Sequence, residues 1–197
     1  MLEFPLHTLD SCTGERRSVL SLVAARYGFV PNLLAGLAES PAAARAYLSL
    51  GVEVQQSTLT AEERTVAWFA VISANDCHYC LAAHTAGAMA ERVDASVLSV
   101  ARDGTGYANP RLQALHEFVL ALINTRGRPS SAIQSAFAGA GFTAEHALEC
   151  VMIVAQKTLS TYVNALIGTP VDDAFKGFER ADTTGDDTAV HRALSET

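Results

Sequence analysis

The stretch Asn75-Asp76-Cys77-His78-Tyr79-Cys80-Leu81-Ala82-Ala83-His84 holds two of the four cysteines and two of the six histidines. A helix starting here, with Asn75 or Asp76 as N-cap, brings three side chains into register. Cys77 and Cys80 are spaced i,i+3, and Cys80 and His84 i,i+4, so all three share one face. Two thiols within disulfide reach, with an imidazole one turn on, make a compact redox unit. Exposed N–H groups at a helix start stabilise a thiolate, as does a nearby imidazolium. Read as zinc ligands, the same three residues lack a fourth partner close by, and structural zinc takes four. Read as core, both cysteines are small apolar fillers. A C-x-x-C with no secretory signal favours the redox reading.

Working outward, the chain reads as consecutive helices. Thr60-Ala61-Glu62-Glu63 is a capping box opening a strongly apolar helix to about Ala74, rich in Val66, Trp68, Phe69, Val71 and Ile72. Trp68 is read as core. The redox helix follows from Cys77 to about Ala90; its alanines and Gly87 would let a neighbouring helix approach closely. Before these lie Glu15–Tyr27, ended by Gly28, a short turn from Pro31-Asn32, and a helix opened by Ser40-Pro41 and running to about Gln56. After them come Asp94–Arg102, Pro110–Thr125, Ser130–Gly139, and a long helix capped by Thr143 and ending near Leu166. A short helix around Phe175 and Phe178 closes the series. No segment alternates with period two, so the class is all-α. Residues 1–180 read as one domain, and 181–197 turn polar and read as a loosely attached tail.

The chain has 197 residues, 49% hydrophobic and 18% charged, with only two lysines and a net charge of −7. The acidic balance argues against nucleic acid or an anionic membrane as partner. No run reaches the eighteen or so uncharged apolar residues a membrane span needs. The apolar composition suggests surface buried between subunits. The N-terminus has no basic n-region or apolar h-region, and four cysteines in this length are no disulfide framework, so a reducing, cytoplasmic home is expected. Thr60-Ala61-Glu62 recurs as Thr143-Ala144-Glu145, and at that offset Tyr79 matches Tyr162. This echo suggests a repeated helix pair, the second copy having Ser160, Val163 and Ile167 where the first has Cys77, Cys80 and His84.

These residues resemble the carboxymuconolactone decarboxylase / alkylhydroperoxidase D-like superfamily, in its peroxidase-related branch. The core of the likeness is Leu59-Thr60-Ala61-Glu62-Glu63-Arg64 leading to Asn75-x-Cys77-x-Tyr79-Cys80 and His84. Gly28-Phe29-Val30-Pro31-Asn32 is similar to the family's opening segment. Lys157 through Asn164, then Gly168-Thr169-Pro170-Val171-Asp172, is similar to its closing segment. The resemblance spans about residues 15–178. It implies an all-helical homo-oligomer performing thiol chemistry without metal or organic cofactor. A small hydroperoxide is reduced, the cysteines form a disulfide, and a dithiol or thioredoxin-like partner restores them.

Carried over, Cys80 would be the peroxidatic cysteine, passing through a sulfenic acid. Cys77 would protonate the leaving group, then resolve the disulfide and face the reductant, and His84 would move protons to and from Cys80. Helix geometry alone favours Cys77 as thiolate, being nearest the N-terminal dipole; the imidazole favours Cys80, the assignment adopted here. Tyr79 stands where the alkylhydroperoxidase motif has His. Thr65 stands where the family places a relay carboxylate, and threonine is no proton sink. Glu62, one turn back, is the substitute expected, and Thr65→Glu is expected to speed the reaction if the position is solvated. Lys157 is expected to snorkel, His116 and His146 to serve surface or capping roles, and Cys150 to be buried and inert. Two rival readings are a non-enzymatic redox sensor or scaffold and a cofactor-free lactone decarboxylase or isomerase that would not need the cysteines.

Overall fold

The helix that opens at Thr60 becomes the centre of the molecule. In the computed structural model, which describes residues 2–180, Ala61–Ala74 (α4) has nine buried residues, from Glu63 and Thr65 through Ile72. Its capping box forms as expected: Thr60 N–H donates to Glu63 Oε2 (2.9 Å) and Glu63 N–H to Thr60 Oγ1 (3.2 Å). Glu63 is buried because its other oxygen accepts from Arg111 Nε at 2.7 Å. Burial opposes its charge, but the Thr60 amide and the Arg111 guanidinium hold its carboxyl below the usual range.

Around α4 pack Pro110–Asn124 (α7), Ala95–Asp103 (α6), His78–Ala90 (α5) and Ala144–Ile167 (α9). Pro41–Gln55 (α3) lies on α9, joined by Gly14–Tyr27 (α1) and Asn32–Leu37 (α2). Ser131–Gly139 (α8) packs on α7, and a 3-10 turn, Asp173–Phe178, packs on α5. Among the described residues there is no strand, so the all-α expectation holds. The expected helices are present within one or two residues of their read bounds. The polar tail read over 181–197 lies outside the described residues.

Two sequence readings change here. α9 is one continuous 24-residue helix, so the echo extends to the caps (Thr143 with His146, a second capping box) but not to a helix pair. The first copy is broken because Asp76 turns to φ +46° and Asn75 Nδ2 is tied to Thr161 Oγ1 of α9 at 2.9 Å. α9 also passes, on length and composition alone, for a membrane-crossing helix, at mean hydropathy 1.3. It lies instead against the core, burying Cys150, Ile153, Gln156, Lys157, Ser160 and Asn164.

Candidate functional site

The break between α4 and α5 decides the geometry of the thiols. Neither Asn75 nor Asp76 is the N-cap of α5: Cys77 is, and its Sγ accepts from the Cys80 N–H at 3.3 Å. Cys77 thus stands just outside the helix, with its sulfur folded back over the first turn. Both sulfurs accept from one amide, Asn164 Nδ2 of α9, at 3.6 Å (Cys77) and 3.3 Å (Cys80). Cys77 is 8% exposed and edges a small recess with Ile72, Ser73, Asp76, His78, Leu81 and Arg180; Cys80 is 1% exposed.

Two close sulfurs cannot both ionise cheaply, so one negative charge falls to the better-supported site. The neighbouring Cys77 thiol favours the Cys80 thiolate most, and against the opposing effect of burial so do the Lys157 charge, the Asn164 amide and the nearby Ser160 hydroxyl. Its pKa falls to about 6. Cys77, holding the shared proton and buried, is pushed far up. The helix start alone would have favoured Cys77; the surroundings of Cys80 outweigh it.

His84 does not take the expected place. No hydrogen bond joins it to Cys80; its Nε2 accepts from Lys157 Nζ at 2.6 Å, and the Trp68 ring lies 4.8 Å from its own. Burial first, and the Lys157 charge second, drive its pKa well below the ordinary imidazole value, so the ring is neutral and accepts. Lys157 does not snorkel. It is 1% exposed in the middle of α9, and a lysine is almost never that buried unless partnered. Its position was the missed signal: one of two lysines, set among Ile153, Val154 and Leu159.

Thr65 is 1% exposed and its Oγ1 donates to Ala61 O at 2.9 Å. Glu62 is partly exposed and makes no side-chain hydrogen bond among the described residues. Neither touches His84 through a hydrogen bond, so the carboxylate relay expected at Glu62 does not form; the His84 partner is a cation. Tyr79 has a structural role. Its hydroxyl donates to Asp172 Oδ2 (2.6 Å) and accepts from Leu33 N–H (3.3 Å), while Asp172 accepts from Asn32 N–H. The opening and closing segments noted in the sequence therefore meet at Tyr79. Burial, then the Asp172 carboxylate, raise the Tyr79 pKa far above the phenol value, so it is not a relay.

A cavity of about 280 Å³ reaches His84 from between α3 and α5. Trp68, as read, is core at 8% exposure, but its ring also lines this cavity and its Nε1 donates to Gln156 Oε1 at 3.0 Å. Cys150 is fully buried, its thiol pushed up to about 12 by burial, and His146 caps α9. His116 is half-buried beside Tyr107 rather than on the surface. No group of His, Cys, Asp and Glu suited to a metal ion occurs among the described residues.

With this geometry in view, residues 41–115 match the Carboxymuconolactone decarboxylase family. The resemblance read from the sequence holds. The matched span covers α3 through the start of α7, including both site cysteines and His84. An alkylhydroperoxidase AhpD core, an uncharacterized peroxidase-related protein from Ralstonia eutropha JMP134, is 27% identical over 88% of this chain and 93% of that one, with TM-score 0.76. An uncharacterized peroxidase-related protein from Silicibacter sp. TM1040 is 18% identical, covering 91% and 95%, with TM-score 0.75. The debrominase Bmp8 in complex with 2,3,4-tribromopyrrole is 20% identical, covering 90% and 95%, with TM-score 0.73. The last two share the fold. No curated protein matches the sequence.

Proposed function

We propose that this protein is a thiol-dependent oxidoreductase that reduces a hydroperoxide through a Cys77–Cys80 disulfide. The observation that carries the reading is the single Asn164 amide donating to both sulfurs. It gathers a low-pKa thiolate and its proton-bearing partner at one point. The Ralstonia relative, described as peroxidase-related, supports the same class.

The Cys80 thiolate attacks the terminal oxygen of ROOH, the O–O bond breaks, and Cys80 becomes a sulfenic acid. The departing RO⁻ takes the Nδ1 proton of the neutral His84 ring as its Nε2 takes a proton from Lys157. Cys77 then attacks the Cys80 sulfur; its thiol proton leaves with the hydroxyl as water, and the disulfide closes. An external dithiol donates two electrons and two protons, restoring the Cys77 thiol, the Cys80 thiolate and the Lys157 ammonium. The thiolate and the ammonium are therefore lost together and regained together. That suits an interior where an unpaired charge is expensive.

The dithiol reductant is assigned to the Cys77 recess, the more exposed of the two sulfurs. Leu148, Val151, Tyr162 and Leu166 form an exposed apolar stripe on α9 and support assembly with further copies of the chain. A reducing, cytoplasmic setting would keep the pair as dithiol. The test is mass spectrometry before and after one equivalent of hydroperoxide, followed by steady turnover with dithiothreitol. Loss of two hydrogens and sustained turnover support an enzyme; a disulfide formed without turnover favours a redox sensor.

A second reading follows from the His84–Lys157 pair, an acid–base couple that needs no thiol and stands beside a cavity. It would suit a cofactor-free decarboxylase or isomerase of a small lactone. A Cys77→Ser/Cys80→Ser variant that keeps full activity on such a lactone would establish it over the first.

A further inference from the structure

The redox helix was expected to use Gly87 for close approach of a neighbouring helix. It does not: a Cβ built on Gly87 meets nothing within 4 Å. Gly87 lines the cavity instead, as does Gly51 of α3. Both helices line this space, and they do not pack extensively on one another. On α3 the lining residues Tyr47, Gly51 and Gln55 are spaced four apart; on α5, Ala83 and Gly87 are likewise. Each helix thus turns one face to the opening and carries a glycine in the middle of it.

The walls are unusually aromatic. Five of the 17 lining residues are Tyr27, Tyr47, Trp68, Tyr79 and Phe175, whereas the whole chain is 7% aromatic. The rings cross the molecule from the exposed Tyr27 to the buried Trp68 and Tyr79. Polar groups sit at both ends: Gln55 Nε2 donates to Glu91 Oε1 at 3.1 Å, and Gln156 and His84 flank Trp68 at the inner end. Apolar and aromatic lining with few polar groups is the composition of a small-molecule site. The volume equals that of about nine waters, far more than hydrogen peroxide needs.

The geometry points to a binding site for the aromatic ring of an aryl-bearing hydroperoxide, deepening the function proposed above and resting on it. The ring would lie against Tyr47, Trp68 and Phe175, where aromatic pairs add to the area they bury. The hydroperoxide end would point toward His84. Cys80 does not line the cavity, but its helical neighbours Tyr79, Ala83 and His84 do. Gly51 and Gly87 keep the space open. A Cβ at residue 87 would meet no neighbour within 4 Å, so a larger side chain there has room to project over the opening, and replacing glycine within a helix also favours the helix.

Trp68 is the chain's one tryptophan, so its emission reports on the cavity. The probes are cumene hydroperoxide, hydrogen peroxide, and 2-phenyl-2-propanol, the unreactive alcohol corresponding to the first. The alcohol should shift Trp68 emission saturably in the native protein and in Cys77→Ser/Cys80→Ser. Gly87→Leu should weaken that binding, and lower the ratio of kcat/KM for cumene hydroperoxide over hydrogen peroxide, by about tenfold or more. Gly87→Ala should give a smaller drop in both. A general folding defect lowers both rates together and leaves the ratio. No emission shift, or an unchanged ratio in Gly87→Leu, overturns the inference while any turnover keeps the peroxidase reading alive. Saturable alcohol binding with neither peroxide consumed upholds the aryl site and removes the peroxidase reading.

Discussion

Lys157 of α9 donates to His84 of α5 across 2.6 Å, 73 positions away in sequence. Thr65, where the resemblance read from the sequence implied a relay carboxylate, is bonded to its own helix. A cation thus stands where a carboxylate partner for His84 was expected. The imidazole is kept neutral, and the positive charge that supports the Cys80 thiolate belongs to lysine.

Lys157→Met should shift the pH dependence of Cys80. Native Cys80, with its pKa lowered to about 6, should react with iodoacetamide at full rate at neutral pH and lose reactivity as the pH falls through 6. An opposite charge nearby lowers a pKa by about 1–3 units, so the midpoint in the variant should rise by about that much. An unmoved midpoint would mean that the Cys77 and Asn164 hydrogen bonds suffice.

Cys80→Ser should abolish peroxide consumption, whereas Cys77→Ser should react once and stop. Mass spectrometry should find a single added oxygen on Cys80 in the latter. Cys77→Ala, which unlike serine leaves no donor there, should react more slowly than native at neutral pH, because the thiolate loses the contribution that lowers its pKa most. Stalling in Cys80→Ser and full inertness in Cys77→Ser would reverse the roles.

Tyr79→Phe should destabilise the fold by about 1–3 kcal/mol, the cost of leaving the buried Asp172 carboxylate without that donor. Denaturant midpoints measure it. Because Tyr79 ties residues 32–33 to residue 172, proteolysis should first cut near the closing segment, while the Cys80 alkylation midpoint stays near 6.

Thr65→Glu was expected from the sequence to speed peroxide reduction if solvated. The position is 1% exposed, and no cationic group bonds to it. The variant should instead lose stability by about 2 kcal/mol or more, the penalty of burying a charge without a partner. Thr65→Val, which keeps the shape and removes only a hydroxyl bonded within its own turn, should be nearly neutral. A stable, faster Thr65→Glu would show that the relay can be rebuilt.

The helices and their starts were legible because they depend on neighbours in sequence. Thr60 and Glu63, Ser40 and Pro41, and Thr143 are caps made within one turn, and the apolar run from Val66 to Ile72 marks a buried helix wherever it packs. The redox pair was legible for the same reason: Cys77 and Cys80 are three apart. Even there the local reading erred by one or two residues, since the turn at Asp76 and the tie of Asn75 to Thr161 make Cys77 itself the cap. The partners of the pair come from elsewhere. Asn164 lies 84 residues from Cys80, Lys157 lies 73 from His84, and Asp172 lies 93 from Tyr79. No periodicity or spacing encodes such distances. Lys157 in isolation looks like a side chain that must reach water, and only the packing of α9 against α4 and α5 leaves it a histidine and a thiolate instead. Gly87 likewise has no side chain by sequence, but whether the space beside it holds a helix or a ligand is decided by where α3 lies.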